Sequence, residues 1–173
     1  MRVLLKKACI VAPGQPEDGK TRDVLIENGV ITRIAEDAGS DAEDIISGDH
    51  LHVSPGWMDI FANFCDPGYE YKEDLASGAR AAAAGGFTEV MLIPNTLPAI
   101  ETKAQIEYIV SHNPRLAATL YPIGAVSQGL KGQSLAEMYE MHRGGALAFS
   151  DGTAPVQHSG LLLKALQYIK AFG

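Results

Sequence analysis

The rhythm of apolar and polar positions changes at Pro55. Before it, apolar residues cluster in short runs over 2–11 and 23–34, and an Asn28-Gly29 step sits inside the second run. Asn-Gly between β-rich runs is the strongest short-range hairpin signal, because both residues accept the positive φ of a tight turn. Residues 12–22 and 36–48 are rich in Gly, Pro, Ser and Asp and read as loops, and 51–53 reads as one more short strand. Residues 1–54 are therefore expected to form a small β-sandwich-like layer, too thin to hold a core alone.

After Pro55, apolar runs alternate with helical patterns. Trp57–Phe64, bounded by Pro/Gly punctuation, predicts a core strand, and a helix follows over 73–84 until Gly85-Gly86 stops it. Residues 88–93 predict the second strand, and Thr102-x-x-Gln105 is a capping box opening a helix to about 111. The third strand lies within 116–125. Ser134-x-x-Glu137 is a second capping box, whose helix ends at Gly144-Gly145. Residues 146–150 are the fourth strand and 159–172 the fourth helix, with Gly173 at its end.

Four βα units without an antiparallel return predict an α/β fold with a parallel sheet and right-handed crossovers. That is half of a (β/α)8 TIM barrel, whose usual length is about 250 residues. The expected organisation is a small β domain over 1–54 and the first half of such a barrel over 55–173, the rest being absent from this chain. A half barrel leaves edge strands and one face uncovered. The expected remedy is the missing half of the same barrel or a second copy; a closed-off doubly wound layer is the other possibility.

Composition narrows the function classes. The chain has 173 residues, 46% hydrophobic and 20% charged, as an ordinary soluble domain does. A formal net charge of −7 without a basic cluster argues against nucleic acid or an anionic membrane as partner. The opening Met1-Arg-Val-Leu-Leu-Lys-Lys breaks too early for a signal-peptide core, no run approaches a membrane span, and a cytoplasmic protein is expected. Cys9 and Cys65 lack metal or redox spacing and read as reduced thiols.

Candidate chemistry belongs at the carboxyl ends of the strands. Strand alternation would put Phe61, Asn63 and Cys65 on one face there, yet none is a strong metal ligand or general base, and Cys65 has no nearby base to make it a nucleophile. His50-Leu51-His52 points two imidazoles the same way but has no carboxylate cluster beside it, so a surface strand pair is expected; His112, His142 and His158 are isolated. Turn chemistry accounts for Asp66-Pro67-Gly68. Asn95, after the second strand, offers a donor and an acceptor to a substrate. Asp151, after the fourth strand, is a candidate metal ligand or general base, and equally a helix cap or loop anchor. The Gly-Gly pairs precede strands and match no phosphate loop.

Pro55-Gly-Trp-Met-Asp-Ile-Phe-Ala-Asn-Phe-Cys-Asp-Pro-Gly68, Lys72-Glu-Asp-Leu-x-x-Gly78, Ala81-Ala-Ala-Ala-Gly-Gly-Phe-Thr88, Pro94-Asn-Thr96 and Ala148-Phe-Ser-Asp151 closely resemble the dihydroorotases of the amidohydrolase superfamily, in order and spacing. The resemblance implies a metal-dependent (β/α)8 barrel beside a β domain built from both chain ends, with this chain as the N-terminal portion. In the family the first strand ends Asp-x-His-x-His-x-Arg-Asp-Pro-Gly; the histidines bind zinc and the arginine holds the substrate carboxylate. By that resemblance the histidine positions fall on Phe61 and Asn63 and the arginine position on Cys65, while Asp59, Asp66, Asn95, a substrate contact, and Asp151, a metal-ligand position of class I members, are kept.

A hydrolytic zinc needs about three protein ligands. Phe61 supplies none, Asn63 is a weak neutral one, and the Cys65 thiol cannot replace a bidentate guanidinium clamp. The expectation is a dihydroorotase-like protein of pyrimidine biosynthesis (dihydroorotate and carbamoyl aspartate) that is catalytically inactive and holds no cofactor. The alternatives are an active cyclic amidohydrolase with a single zinc held by Asp151 and ligands beyond 173, or a small-molecule-binding or scaffold subunit. The resemblance also suggests aspartate carbamoyltransferase as a partner.

Overall fold

The computed structural model describes residues 1–172, so the expected Gly173 helix stop lies outside the described residues. The chain divides into two compact units, Met1–Pro55 and Gly56–Gly173.

The first unit is a single five-stranded sheet. β1 (Arg2–Ile10) pairs antiparallel with β2 (Thr21–Glu27), and β2 with β3 (Val30–Ala35). Asn28 and Gly29 turn between them with φ of 52° and 81°, the double positive φ that the sequence signals. On its other edge β1 runs parallel to β4 (Asp44–Ser47) and β5 (His52–Val53). β4 lies inside the segment expected to be a loop. Its Ile45 and Ile46 are adjacent and both exposed, so it carries no alternation to read. Leu4, Ala8, Ile10, Val24 and Leu25 are the unit's buried apolar residues.

A bulge interrupts β1 between Leu5 and Ala8, with Lys7 at φ 54°. A bulge takes a backbone amide out of the ladder. Here the buried Asp23 receives it: Oδ1 accepts from the Lys7 amide at 2.9 Å and Oδ2 from the Ala38 amide at 3.2 Å.

The second unit alternates strand and helix: β6 (Trp57–Ala62), α1 (Leu75–Ala84), β7 (Phe87–Leu92), α2 (Lys103–His112), β8 (Thr119–Gly124), α3 (Met138–Gly144), β9 (Ala148–Phe149) and α4 (Ser159–Ile169). The strands form a wholly parallel sheet in the order β6-β7-β8-β9, the expected half barrel. Leu75, Val90, Leu92, Ile100, Ile106, Ile109, Leu120, Met138 and Met141 fill the layer between sheet and helices. Among the described residues, no helix is long and apolar enough to cross a membrane.

Three expectations need correction. The first helix starts at Leu75 instead of residue 73, because Asp74 is its N-cap: Asp74 Oδ1 accepts from the Ser77 amide at 2.7 Å and Ser77 Oγ from the Asp74 amide at 3.3 Å. The Ser134–Glu137 capping box does not form. Residues 127–135 fold back in a tight turn, where Ser134 O accepts from the Gln128 amide and Ser127 bridges to Leu135, so α3 begins only at Met138. The Thr102–Gln105 box does form, with Gln105 Oε1 accepting from the Thr102 amide at 2.9 Å. Finally, β6 is an edge strand and not a buried one. Among the described residues β6 pairs with β7 alone, and Trp57, Met58, Ile60 and Phe61 are exposed.

Candidate functional site

The parallel strands deliver four loops to one end of the sheet, the end where α/β folds place their chemistry. Asn63, Cys65, Asp66, Asn95 and Asp151 stand in these loops, and Phe61 lies near the end of β6.

β6 reaches its loop irregularly. Its register against β7 slips between Asp59 and Ala62, and Asp59 Oδ1 accepts from the Phe61 amide at 2.9 Å. Beyond the strand end, Asn63 Oδ1 accepts from the Cys65 amide at 2.9 Å, and Cys65 adopts φ 63°. Strict alternation therefore does not continue through Phe61, Asn63 and Cys65. Phe61 is 53% exposed, Asn63 is exposed and Cys65 is half-buried. The Asn63 side chain is spent on a local turn, as short amide side chains commonly are.

Asp66 follows at only 6% exposure. Its Oδ1 accepts from the Tyr108 hydroxyl at 3.0 Å and its Oδ2 from the Leu75 amide at 3.3 Å, at the first turn of α1. Burial first, and then the Asp66 hydrogen bond and charge, raise the Tyr108 phenol above its ordinary value of 10.0. Asp66 thus pins its loop to two helices.

The remaining candidates meet. Asn95, after β7, donates from Nδ2 to the Asp151 carbonyl at 3.4 Å and accepts at Oδ1 from the Thr153 amide at 3.1 Å. Asp151, after β9, is 3% exposed. Its Oδ1 accepts from the amides of Val126 and Ser127, each at 2.9 Å, and its Oδ2 from the Ser127 hydroxyl at 2.5 Å. Sequence reading misses Ser127, which lies 24 residues from Asp151 without any local signal, and Tyr108, which looks like an ordinary helix residue. Gly152 does carry a signal, since Asp-Gly after a strand is turn chemistry. Its φ is 60°, and a Cβ there would lie 1.7 Å from Asn95 Oδ1.

Among the described residues, these side chains do not by themselves assemble a zinc site. Phe61 has no donor atom, Asn63 Oδ1 is bonded to an amide, and Asp151 has donors on both oxygens. Among the described residues, no three His, Cys, Asp or Glu side chains group as a metal site would. The His50–His52 pair does not gather such a group either: His52 Nδ1 donates to the His50 carbonyl at 2.6 Å. What the geometry supports is a strand-end mouth held together by side chain to backbone hydrogen bonds.

The family described as Dihydro-orotase-like matches residues 51–172. The dihydroorotase of Trichlorobacter lovleyi is 41% identical over 175 residues, covering 100% of this chain and 41% of that protein. The dihydroorotase of Syntrophotalea carbinolica is 42% identical over 174 residues, covering 99% and 40%. This chain therefore spans about two fifths of the length of the curated relatives it matches. Among solved structures, the L-hydantoinase (dihydropyrimidinase) from Arthrobacter aurescens superposes with a TM-score of 0.78 at 23% identity, over 98% of this chain and 38% of that one. A dihydroorotase structure gives 0.65 at 13% identity, over 98% and 49%. These two likenesses establish the fold alone, the N-terminal part of a barrel protein. With the family match over most of its length and relatives above 40% identity, the chain belongs to the dihydroorotase-like family.

Proposed function

We propose that this chain is the N-terminal portion of a dihydroorotase-like protein of pyrimidine biosynthesis that serves as a non-catalytic scaffold or regulatory subunit. The reading rests on the first strand end, where Phe61, Asn63 and Cys65 fall on the positions that the family resemblance gives to two zinc-binding histidines and a carboxylate-binding arginine. Phe61 gives a metal nothing, and the Asn63 oxygen is already held by the Cys65 amide. Without a metal-activated water, hydrolysis of a cyclic amide lacks its nucleophile. The partner best supported by the family is aspartate carbamoyltransferase, in the cytoplasm. The exposed apolar strand β6 favours completion of the barrel by the remainder of a longer chain or by a second copy.

The second reading is an active cyclic amidohydrolase with one zinc on Asp151 and on ligands beyond 173. It is favoured by relatives near 40% identity that carry the name dihydroorotase. It requires Asp151 to offer a metal the one lone-pair position of Oδ2 that Ser127 leaves open. Elemental analysis of the purified full-length protein, with a dihydroorotate turnover assay, separates the two. Neither zinc nor turnover is expected; stoichiometric zinc with turnover would overturn the first reading.

A further inference from the structure

We infer that Asp151, Ser127 and Asn95 form a structural lace that ties the carboxyl ends of β7, β8 and β9 together, and that the Asp151 carboxylate serves this lace and no metal.

The need for such a lace follows from the length of β9. Only two residues of β9 pair with β8, Ala148 with Ile123 and Phe149 with Gly124, and so short a ladder holds little by itself. Asp151 adds three hydrogen bonds across the same strand ends, two from amides and one from a hydroxyl. Ser127 passes the connection on: its Oγ donates to Asp151 and accepts from the Gly132 amide at 2.8 Å, which draws in the turn after β8. Asn95 closes the other side by gripping the backbone of Asp151 and Thr153 from the end of β7. Bonds to an ionised acceptor are the stronger kind, and a buried donor left without a partner is expensive. A carboxylate has about four lone-pair positions, and three are filled from within. Drawing the Asp151 carboxylate away to a metal would leave the buried Ser127 hydroxyl without its acceptor.

This inference goes beyond the absence of catalysis, since it concerns what the strand-end carboxylate does. It is tested by thermal unfolding of Asp151→Ala, Ser127→Ala and the double variant in the full chain. Asp151→Ala is expected to lower the melting temperature by roughly 10 °C, because three buried donors lose their acceptor. The double variant should lose less than the sum of the two single losses, because the Asp151–Ser127 bond is common to both, although the Gly132 bond of Ser127 is lost only with Ser127→Ala. Additive losses would overturn the lace. Should Asp151→Ala not fold, Asp151→Asn carries the same double comparison, since it keeps the shape and one acceptor oxygen.

The metal arm uses a Phe61→His, Asn63→His background and zinc alone, followed by equilibrium dialysis. Adding Asp151→Asn should change zinc affinity by less than about threefold; a loss of about tenfold or more would make Asp151 a ligand and overturn the inference. Turnover of dihydroorotate by the unmodified protein would instead defeat the non-catalytic reading, while leaving the coupling of Asp151 and Ser127 standing.

Discussion

The Tyr108 hydroxyl donates to Asp66 across 3.0 Å, joining α2 to the loop that leaves the first barrel strand. Asp66 is largely buried, so this bond satisfies an oxygen that has little access to water. Tyr108→Phe keeps the ring and removes the donor, and should cost about 1–2 kcal/mol, a fall of about 3–6 °C in melting temperature. The effect should depend on pH. Because burial and Asp66 raise the folded phenol above 10.0, the folded state holds its proton more tightly than the unfolded chain does. That contribution is complete below the unfolded value near about 10 and is lost as pH rises through the folded one. Circular-dichroism melts from about pH 8 to 11 should show the wild-type advantage over Tyr108→Phe shrinking at the alkaline end. A gap that widens there would contradict the bond.

Asp23 should give the opposite pH dependence in the N-terminal unit. Burial is the largest influence and pushes its carboxyl up, but the Lys7 and Ala38 amides with the nearby lysines outweigh it and hold the group below its usual 3.8. A depressed value means stability that is present above the unfolded pKa of about 3.9 and lost as pH falls through the folded one. Asp23→Asn turns an amide nitrogen toward one of two backbone donors, and should cost about 2–3 kcal/mol at neutral pH. In urea unfolding, the difference from wild type should narrow below about pH 4. An unchanged difference would mean that the charge is not what caps the bulge.

The fold was legible wherever a residue type forces local geometry. Asn28-Gly29 turns the hairpin, and Gly145 at φ 114° ends α3 as the glycine pair foretells. The fold was hidden where the decisive contact is remote. Ser134 and Glu137 have capping-box spacing, yet a bridge between Ser127 and Leu135 takes that segment into a turn. Trp57 to Phe61 is apolar enough for a core, but what covers such a face is remote in sequence and does not lie among the described residues. The site divides in the same way. Asn95 and Asp151 stand out by their places after strands, whereas the choice between ligand and anchor lies with Ser127, whose part is visible only once β8 and β9 are side by side.

Gly78 shows a packing constraint hidden in a helix. It sits inside α1, where alanine would ordinarily be favoured by up to about 1 kcal/mol. A Cβ at this position would lie 2.5 Å from the Phe64 ring, which packs against the helix there. Gly78→Ala should therefore destabilise by about 1–3 kcal/mol despite the better helix former, because the ring must shift in a filled core. The companion variant Gly78→Ala, Phe64→Leu should recover part of the loss in a chemical denaturation series. If Gly78→Ala alone stabilises, the close approach of Phe64 is not a constraint.

Gly152 tests the contact on which the Asn95 grip depends. A methyl group there would overlap Asn95 Oδ1 at 1.7 Å, and the residue's φ of 60° is unfavourable for a side chain. Two penalties are thus combined: about 1–2 kcal/mol for the left-handed backbone, and about 1–3 kcal/mol for pushing Asn95 off the Thr153 amide. They can be separated because only the second needs Asn95. In an Asn95→Ala background, Gly152→Ala should cost only the backbone part, so the two substitutions together should be less damaging than the sum of each alone by about 1 kcal/mol or more. Urea unfolding of the four proteins measures the difference. If Gly152→Ala costs the same with and without the Asn95 side chain, the asparagine does not hold the loop after β9, and the glycine is needed for its backbone angle alone.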